Sequence, residues 1–211
     1  MSSSSEQTVA EKLLQAGAVK LNVAQPFTWA SGWKSPIYCD NRKLLSFPFI
    51  RDFIKSELCN VIFEKYPDAA AIAGVATAGI PWGAMVADQL KLPFAYVRSK
   101  AKDHGLGNKI EGSLAAGQPV IMVEDLISTG ISSLDAARSL LTENVPVTAV
   151  VSIFNYGFEK AVNAFNEAEI PFLSLTNYTA LIDLAIQKGM VKESEKEVLM
   201  QWRINPGEWG K

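Results

Sequence analysis

Continuous apolar runs alternate with stretches of helical periodicity between residues 69 and 175, and this alternation restricts the folds open to the chain. The apolar runs predict strands at 69–77, 94–98, 120–125, 147–155 and 170–175. The intervening stretches predict helices at 79–90, 131–143 and 158–169. Apolar strands separated by helices are typical of a parallel sheet that is covered on both faces. The sequence therefore predicts an α/β fold with 170–175 as an edge strand.

Segments on both sides of this region are predicted to cover the sheet. Pro48 begins a helix whose apolar residues recur at spacings of three and four. Further predicted elements are a helix at 8–22, a strand at 37–42 and mostly helix over 179–203. The 211 residues suit one domain. We expect a disordered tail at 1–8 and a single domain at 9–211, with an N-terminal hood (about 9–45), a core (about 46–176) and C-terminal helices (about 177–211).

Charge and cysteine usage exclude several classes of protein. The net charge of −2 and the pI of about 5.5 lack the basic footprint of a nucleic-acid binder, so no nucleic-acid partner is expected. Two cysteines without a CxxC pair and a single histidine argue against a disulfide framework or a zinc site, and favour the cytoplasm. The start resembles no secretory signal, and no apolar run is long enough to span a bilayer, so no membrane partner is expected.

The segment VIMVEDLISTG (120–130) places two acids at the end of a predicted buried strand. Ligands bind at the carboxyl ends of the strands in open α/β sheets. Glu124 and Asp125 can accept hydrogen bonds from vicinal hydroxyls, such as those of ribose, or hold Mg²⁺. Alternatively, they are a solvated strand end.

Small and hydroxyl residues follow at 128–133 and run into a predicted helix. Backbone N–H groups at a helix N-terminus form a cradle for a phosphate, and hydroxyl groups add donors. No Gly-Lys-Ser/Thr follows, so the loop is not a Walker A sequence. The alternative is that Ser128 or Thr129 only caps the helix.

Two other strand ends should meet this loop at the same edge of the sheet. The segment 98–112 contains Arg98, three lysines and the only histidine, and its length and polarity suggest a mobile flap that folds over a pyrophosphate. An ordinary solvated loop is the alternative. The segment GVATAGIP (74–81) has small residues where a backbone must approach a ligand closely.

Three motifs, at 27–42, 98–105 and 120–130, resemble those of the type I phosphoribosyltransferases and, within them, the orotate phosphoribosyltransferase family in the same order along the chain. VIMVEDLISTG resembles the site for phosphoribosyl pyrophosphate (PRPP) in that fold. The pattern R-x-x-x-K-D-H-G at 98–105 resembles the family's catalytic loop, and FTWASGWKSPIYCDNR (27–42) resembles its N-terminal segment. The resemblance implies a type I phosphoribosyltransferase fold with a small N-terminal hood.

The resemblance also implies transfer of the phosphoribosyl group from PRPP to orotate, with Mg²⁺ bound through PRPP and no protein side chain assigned as its direct ligand. Lys102, His104 and Asp125 are the implied catalytic residues. Orotate would contact Ser128, Lys34 and Tyr38. The family also implies a homodimer in which the flap 98–112 reaches the neighbouring active site. The implied PRPP-binding residues are Arg98, Lys102, His104, Glu124, Asp125, Ser128, Thr129, Gly130, Ile131 and Ser132.

The chain departs from the family pattern at several positions. Ala30 and Ala78 stand where many members have lysine, and Ser99 replaces a basic residue after Arg98. Asn155-Tyr156-Gly157 stands where members often have an arginine that binds the orotate carboxylate, so we expect Lys34 or Arg42, with backbone amides of 31–38, to bind it instead.

Two competing functions remain open at this point. The first is a phosphoribosyltransferase for another base, uracil or a purine, which the missing arginine permits. The second is a PRPP-sensing regulator without catalysis. The acidic pI and the absence of spare length for a DNA-binding module oppose the regulator.

Overall fold

The computed structural model describes residues 3–29, 31–99 and 109–209. Its strands are β1 (Val19–Leu21), β2 (Phe27–Thr28), β3 (Lys34–Ser35), β4 (Ile37–Cys39), β5 (Ala71–Val75), β6 (Phe94–Val97), β7 (Ile110–Glu111), β8 (Val120–Ile127), β9 (Val147–Asn155) and β10 (Phe172–Asn177). Its α-helices are α1 (Ser3–Gln15), α2 (Pro48–Lys65), α3 (Gly79–Leu90), α4 (Ile131–Thr142), α5 (Glu159–Glu167), α6 (Tyr178–Gln187) and α7 (Lys196–Ile204). Short 3₁₀ helices cover Asn41–Ser46 and Glu193–Glu195.

A six-stranded sheet in the order β10-β9-β8-β5-β6-β7 forms the centre of the molecule. All neighbouring strands are parallel except β6 and β7, which are antiparallel. This confirms the predicted α/β fold, and β10 is an edge strand as expected. Strand β9 and helix α3 have the predicted bounds.

Both faces of the sheet are covered because its strands are apolar on both sides. Along β8, Ile121 and Val123 join one buried cluster, whereas Met122 between them joins the other. The first cluster includes buried residues of α1, α2, α3 and α6, and the second includes those of α4 and α5. Alternate side chains of one strand therefore pack against helices on opposite faces of the sheet.

The expected disordered tail at 1–8 is wrong for residues 3–8, which form the first turns of α1. Val9 and Leu13 are fully buried, so their packing extends the helix backwards along the chain. Glu6 accepts a hydrogen bond from the Asn177 side chain, which ties this turn to the end of β10. Tertiary contacts thus outweigh the low helix propensity of the serine run.

The predicted helix at 8–22 is also wrong in its second half. Helix α1 ends at Gln15, and residues 19–21 pair with 37–39 as the antiparallel strands β1 and β4. A second hairpin pairs β2 with β3. The predicted strand at 37–42 ends at Cys39, where the chain turns into a 3₁₀ helix. These two small sheets form the hood.

The C-terminal helix α7 holds the hood against the core. The Trp202 indole is buried, and its Nε1 donates a hydrogen bond to the Lys34 carbonyl oxygen at 3.0 Å. Its ring packs edge-on against Trp29 at 5.7 Å between centroids. Among the described residues, no helix is both long enough and apolar enough to cross a membrane.

Close packing of α3 against β8 depends on Gly79, the first residue of that helix. A Cβ atom there would collide with the Val123 carbonyl oxygen and lie 3.2 Å from the Glu124 Cα. The contacting atoms are backbone of a central strand, so the helix itself would have to move.

We therefore expect Gly79→Ala to lower the free energy of unfolding by about 1–3 kcal/mol, because overpacking strains the backbone. Denaturant unfolding measures this change. Gly207→Ala is the control, since its Cβ would meet Trp33 at an ordinary 3.5 Å. Equal stability of the Gly79 variant and the wild type would contradict the close packing.

Candidate active site

The acidic pair and the loop after it line one cavity at the carboxyl edge of the sheet. Its volume is about 290 Å³, and its walls are 76–78 and 124–133. Strand β8 runs to Ile127, so Glu124 and Asp125 lie within the strand rather than at its end. The predicted loop residues Ser128, Thr129, Gly130, Ile131 and Ser132 all line this cavity. The structure therefore brings seven of the predicted PRPP-binding residues together.

Glu124 is a buried carboxylate, only 5% exposed. Its Oε1 accepts a hydrogen bond from the Asp125 backbone N–H at 3.0 Å, and its Oε2 accepts one from the Ser133 hydroxyl at 3.2 Å. Burial, followed by the nearby Asp125 charge, raises the pKa of Glu124 well above its ordinary value.

Asp125 is held between the hood and the core. Burial raises its pKa, while a hydrogen bond with Glu124 and the positive charge of Arg42 act in the opposite direction. Its carbonyl oxygen accepts a hydrogen bond from the Asn41 side chain at 2.7 Å. Asn41 is completely buried. The hood thus fixes the backbone at the centre of the cavity.

Gly130 forms the turn from the loop into α4. Its φ of 79° lies in the left-handed region, and a Cβ there would lie 2.9 Å from the Phe165 ring. Gly130 is also the N-cap, and no side chain caps the helix. The alternative in which Ser128 or Thr129 caps α4 is therefore wrong. The first-turn N–H groups of α4 have no intrahelical acceptors, which suits an anion.

A second pocket of about 730 Å³, called the aromatic pocket, opens beside the first cavity. The two share Leu126, Ser128, Thr129 and Ile131. The aromatic walls are Trp29, Trp33, Tyr38 and Tyr156. The other described lining residues are Thr28, Ser31, Cys39, Leu126, Ser128, Thr129, Ile131 and Lys160. A polar cavity thus adjoins a pocket suited to a flat ring.

Aromatic packing builds this second pocket from distant parts of the chain. Tyr156 stacks on Phe158 with ring centroids 5.3 Å apart and planes 7° apart. Trp29 from the hood packs on Tyr156 at 5.1 Å. The Trp29 Nε1 donates to the Ile37 carbonyl oxygen at 3.2 Å, which satisfies its polar atom.

The predicted orotate-binding residues occupy different places. Ser128 and Tyr38 line the aromatic pocket, but Lys34 is not among its described lining residues. The Lys34 ammonium instead donates to the Thr28 hydroxyl at 2.9 Å, across the β2–β3 hairpin. Arg42 is bonded through Nε to Asp40 Oδ1 at 2.6 Å.

Arg98 lies at the base of the predicted flap. Together with Ser99, Lys109 and Ser132 it lines a small cavity of about 110 Å³, and its guanidinium lies 3.6 Å from a Glu111 carboxylate oxygen. Lys102 and His104 lie outside the described residues, as does Ala30. Ala78 lines the cavity of the acidic pair.

Sequence reasoning assigned Tyr38 to the site but missed the other aromatic walls, Trp29, Trp33 and Tyr156, and Lys160. The spacing in FTWASGW, with Trp29 and Trp33 four residues apart, was a usable signal. No sequence pattern indicated that Tyr156 and Lys160 would join them, or that Trp202 would pack against Trp29 and Tyr156. Another groove of about 620 Å³, between 109–116 and 139–145, contains neither an acidic pair nor an aromatic wall.

The raised pKa of Glu124 predicts a pH-dependent cost to stability. The folded protein holds this proton to a higher pH than the unfolded chain, whose ordinary value is 4.5. The free energy of unfolding therefore falls as pH rises from 4.5 through the folded pKa. Glu124→Gln should remove this loss, so the variant should become more stable than the wild type as pH rises through that window.

Chemical unfolding at a series of pH values measures the difference between variant and wild type. The control is Glu64→Gln, an exposed acid on α2, which should leave the difference near zero. A difference for Glu124→Gln that stayed constant with pH would contradict the raised pKa.

Comparison with known proteins identifies the family. The family model described as a phosphoribosyl transferase domain matches residues 50–165. An orotate phosphoribosyltransferase of Phocaeicola vulgatus is 52% identical over 204 residues, 97% of this chain and 96% of that protein. One from Listeria innocua is 49% identical over 206 residues, 98% of this chain and 99% of that protein.

A solved structure shares the architecture as well. The crystal structure of orotate phosphoribosyltransferase from Aeropyrum pernix is 28% identical, with a TM-score of 0.71 over 86% of this chain and 99% of that one. The predicted fold class is thereby confirmed, including the expected resemblance to type I phosphoribosyltransferases. The chain belongs to the phosphoribosyltransferase family and, within it, to the orotate phosphoribosyltransferases.

Proposed function

We propose that this protein transfers the phosphoribosyl group of PRPP to orotate, giving orotidine 5′-monophosphate and pyrophosphate, a step in the synthesis of UMP. The observation that carries the proposal is the junction of two cavities at Ser128 and Thr129. One offers carboxylates and a helix N-terminus, and the other offers aromatic walls. A phosphorylated sugar joined to a flat base has the same two-part shape.

The acidic pair would hold the ribose ring. Carboxylate oxygens of Glu124 and Asp125 accept hydrogen bonds, and the 2′- and 3′-hydroxyl groups of a ribose can donate to both. Such bonds would partly offset the loss of solvation that raises both pKa values. The charged form of the two carboxylates would therefore be better stabilised with the sugar bound than without it.

The loop from Ser128 to Ser132 would bind the 5′-phosphate. A phosphate accepts hydrogen bonds from backbone N–H groups at the start of α4 and from the hydroxyls of Ser128, Thr129 and Ser132. The positive end of the helix dipole favours the same anion. Binding the sugar at both ends fixes the position of its anomeric carbon.

The chemistry is a displacement at that carbon. The bond to the pyrophosphate oxygen breaks, a bond to a ring nitrogen of orotate forms as that nitrogen gives up its proton to the departing pyrophosphate or to water, and the transition state resembles an oxocarbenium ion. We assign the pyrophosphate to Arg98, Lys102 and His104, whose positive charge would stabilise the leaving group. Histidine side chains can donate protons near neutral pH, and we assign this role to His104. Asp125 would stabilise the positive ribose ring.

These residues suit a Mg²⁺ ion that is bound together with PRPP rather than one that is coordinated by protein ligands alone. Mg²⁺ is commonly bound by one or two carboxylates together with substrate phosphates. The described residues contain the Glu124–Asp125 pair but no group of three or more potential metal ligands. When bound with PRPP, the ion would neutralise charge on the pyrophosphate.

Orotate would occupy the aromatic pocket, where Ser128 and Tyr38 supply hydroxyl groups. The base would lie against the aromatic rings, with its reacting nitrogen turned towards the shared wall at Ser128. Relatives about 50% identical over nearly the whole chain bear the name orotate phosphoribosyltransferase, which favours orotate over uracil or a purine. The same relatives disfavour a regulator without catalysis.

The proposal includes a cytoplasmic homodimer in which the flap 98–112 completes the neighbouring site. Phe49 on α2 is 93% exposed and Phe63 is 73% exposed, and a second subunit would remove such rings from water. Both cysteines are free thiols, which suits a reducing compartment.

Substrate choice tests the reaction. Loss of orotate absorbance should occur only with PRPP and Mg²⁺ present, and parallel assays with uracil, adenine and hypoxanthine should show far lower turnover. The physical reason is that unmatched polar groups in a buried pocket reject a wrong base strongly. Turnover of another base without turnover of orotate would contradict the proposal.

Mixing two inactive variants tests the shared flap. Lys102→Ala should mainly slow the chemistry, whereas Asp125→Asn should weaken PRPP binding. Subunit exchange between equal amounts should restore about one quarter of the wild-type sites, since half of the dimers are mixed and each has one intact site.

The control mixes Asp125→Asn with Asp125→Ala, which share the same defect and should recover nothing. Mass spectrometry verifies that mixed dimers have formed. Mixed dimers without recovered activity would show that each flap serves its own subunit, and a monomeric active enzyme would contradict the homodimer.

A further inference from the structure

If orotate occupies the aromatic pocket, its carboxylate needs a partner there. Orotate carries a carboxylate on its ring, and a carboxylate removed from water is costly unless a charged or multiple hydrogen-bond donor receives it. The chain has no arginine between Arg138 and Arg203. Any cationic partner must therefore come from elsewhere in the pocket wall.

Lys160 is the one charged side chain among the described residues that line this pocket. It is the second residue of α5 and is exposed at the pocket wall. Within the described ranges it makes no hydrogen bond or ion pair, so its ammonium is available to a ligand.

The other cations nearby are already bonded. The Lys34 ammonium donates to Thr28 within its own hairpin, and Arg42 is paired with Asp40. The Arg203 guanidinium donates to the Thr179 hydroxyl at 2.6 Å. Arg203 lines a neighbouring cavity of about 330 Å³, which Lys160 also borders, and it is not among the described residues that line the aromatic pocket.

The start of α5 is held firmly beside the shared wall. The Tyr156 backbone N–H donates to the Ile127 carbonyl oxygen at 3.1 Å, which joins the segment before α5 to the end of β8. The buried Phe158 ring stacks on Tyr156 immediately before the helix begins. Lys160 therefore extends a flexible side chain from a fixed base.

We propose that Lys160 binds the carboxylate of orotate and determines the preference for orotate over uracil. This inference rests on the proposed function. Lys160 takes no part in breaking or forming the glycosidic bond, so it is a specificity residue and not a catalytic one. The same contact would form to orotidine 5′-monophosphate, which keeps the carboxylate, but not to UMP, which lacks it.

Binding of these two nucleotides to the whole protein gives the sharpest test. Calorimetry should show that Lys160→Ala lowers the affinity for orotidine 5′-monophosphate by about 10- to 100-fold, the range expected for a hydrogen bond to a charged group. UMP binding should stay within about 2-fold of the wild type, because UMP has no carboxylate to lose. Lys160→Arg should keep most of the discrimination, since it keeps the charge.

Lys65→Ala is the matched control, an exposed lysine in the last turn of α2. It should bind both nucleotides as the wild type does. In steady-state assays, Lys160→Ala should raise the KM for orotate and leave the KM for PRPP unchanged.

Two results would overturn the inference while leaving the proposed function intact. One is an equal loss of affinity for both nucleotides in Lys160→Ala, which would indicate a structural role. The other is loss of discrimination in Lys34→Ala and not in Lys160→Ala. A wild-type enzyme that does not turn over orotate would instead overturn the proposed function, and this inference with it.

Discussion

The arrangement of the rest of the site depends on two adjacent carboxylates inside a central strand. Glu124 and Asp125 lie within β8, where burial raises the pKa of both groups. The fold tolerates this because Ser133 and the Asp125 backbone N–H donate to Glu124. An arrangement that costs stability in the free protein is suited to a ligand that donates hydrogen bonds when it arrives.

The surrounding elements keep this pair in place and give it a neighbour. Asn41 links the hood to the Asp125 carbonyl oxygen, and Trp202 links the C-terminal helix to the hood. Trp29 then reaches Tyr156, so an aromatic pocket is assembled from three distant parts of the chain. The hood therefore lines the aromatic pocket, and the C-terminal helix supports the hood from behind, in addition to covering the sheet.

The sequence predicted the central sheet well because its periodicity is local. Strand β9 and helix α3 were predicted with their observed bounds, since continuous apolar runs and helical spacing are visible without tertiary information. The acidic pair and its loop were found for the same reason, as all their residues are contiguous. Residues 3–8 were mispredicted because their helix depends on contacts with α6 and β10 across the molecule.

The aromatic pocket was harder to predict because its residues are not contiguous in the sequence. Lys34 lies in a recognisable motif, yet a hydrogen bond to Thr28 holds its ammonium on the β2–β3 hairpin. Lys160 lies in an unremarkable helix, yet the anchoring of Tyr156 to β8 carries it to the pocket wall. Such a placement follows from the register of β8 with β9, which only the folded structure fixes.

A crystal structure with PRPP and Mg²⁺ bound would test the roles of the acidic pair and its loop. It should show ribose hydroxyls at hydrogen-bond distance from the Glu124 and Asp125 carboxylates, with the 5′-phosphate on the backbone N–H groups at the start of α4. A 5′-phosphate bound elsewhere, for example in the groove between Lys109 and Glu143, would contradict these roles.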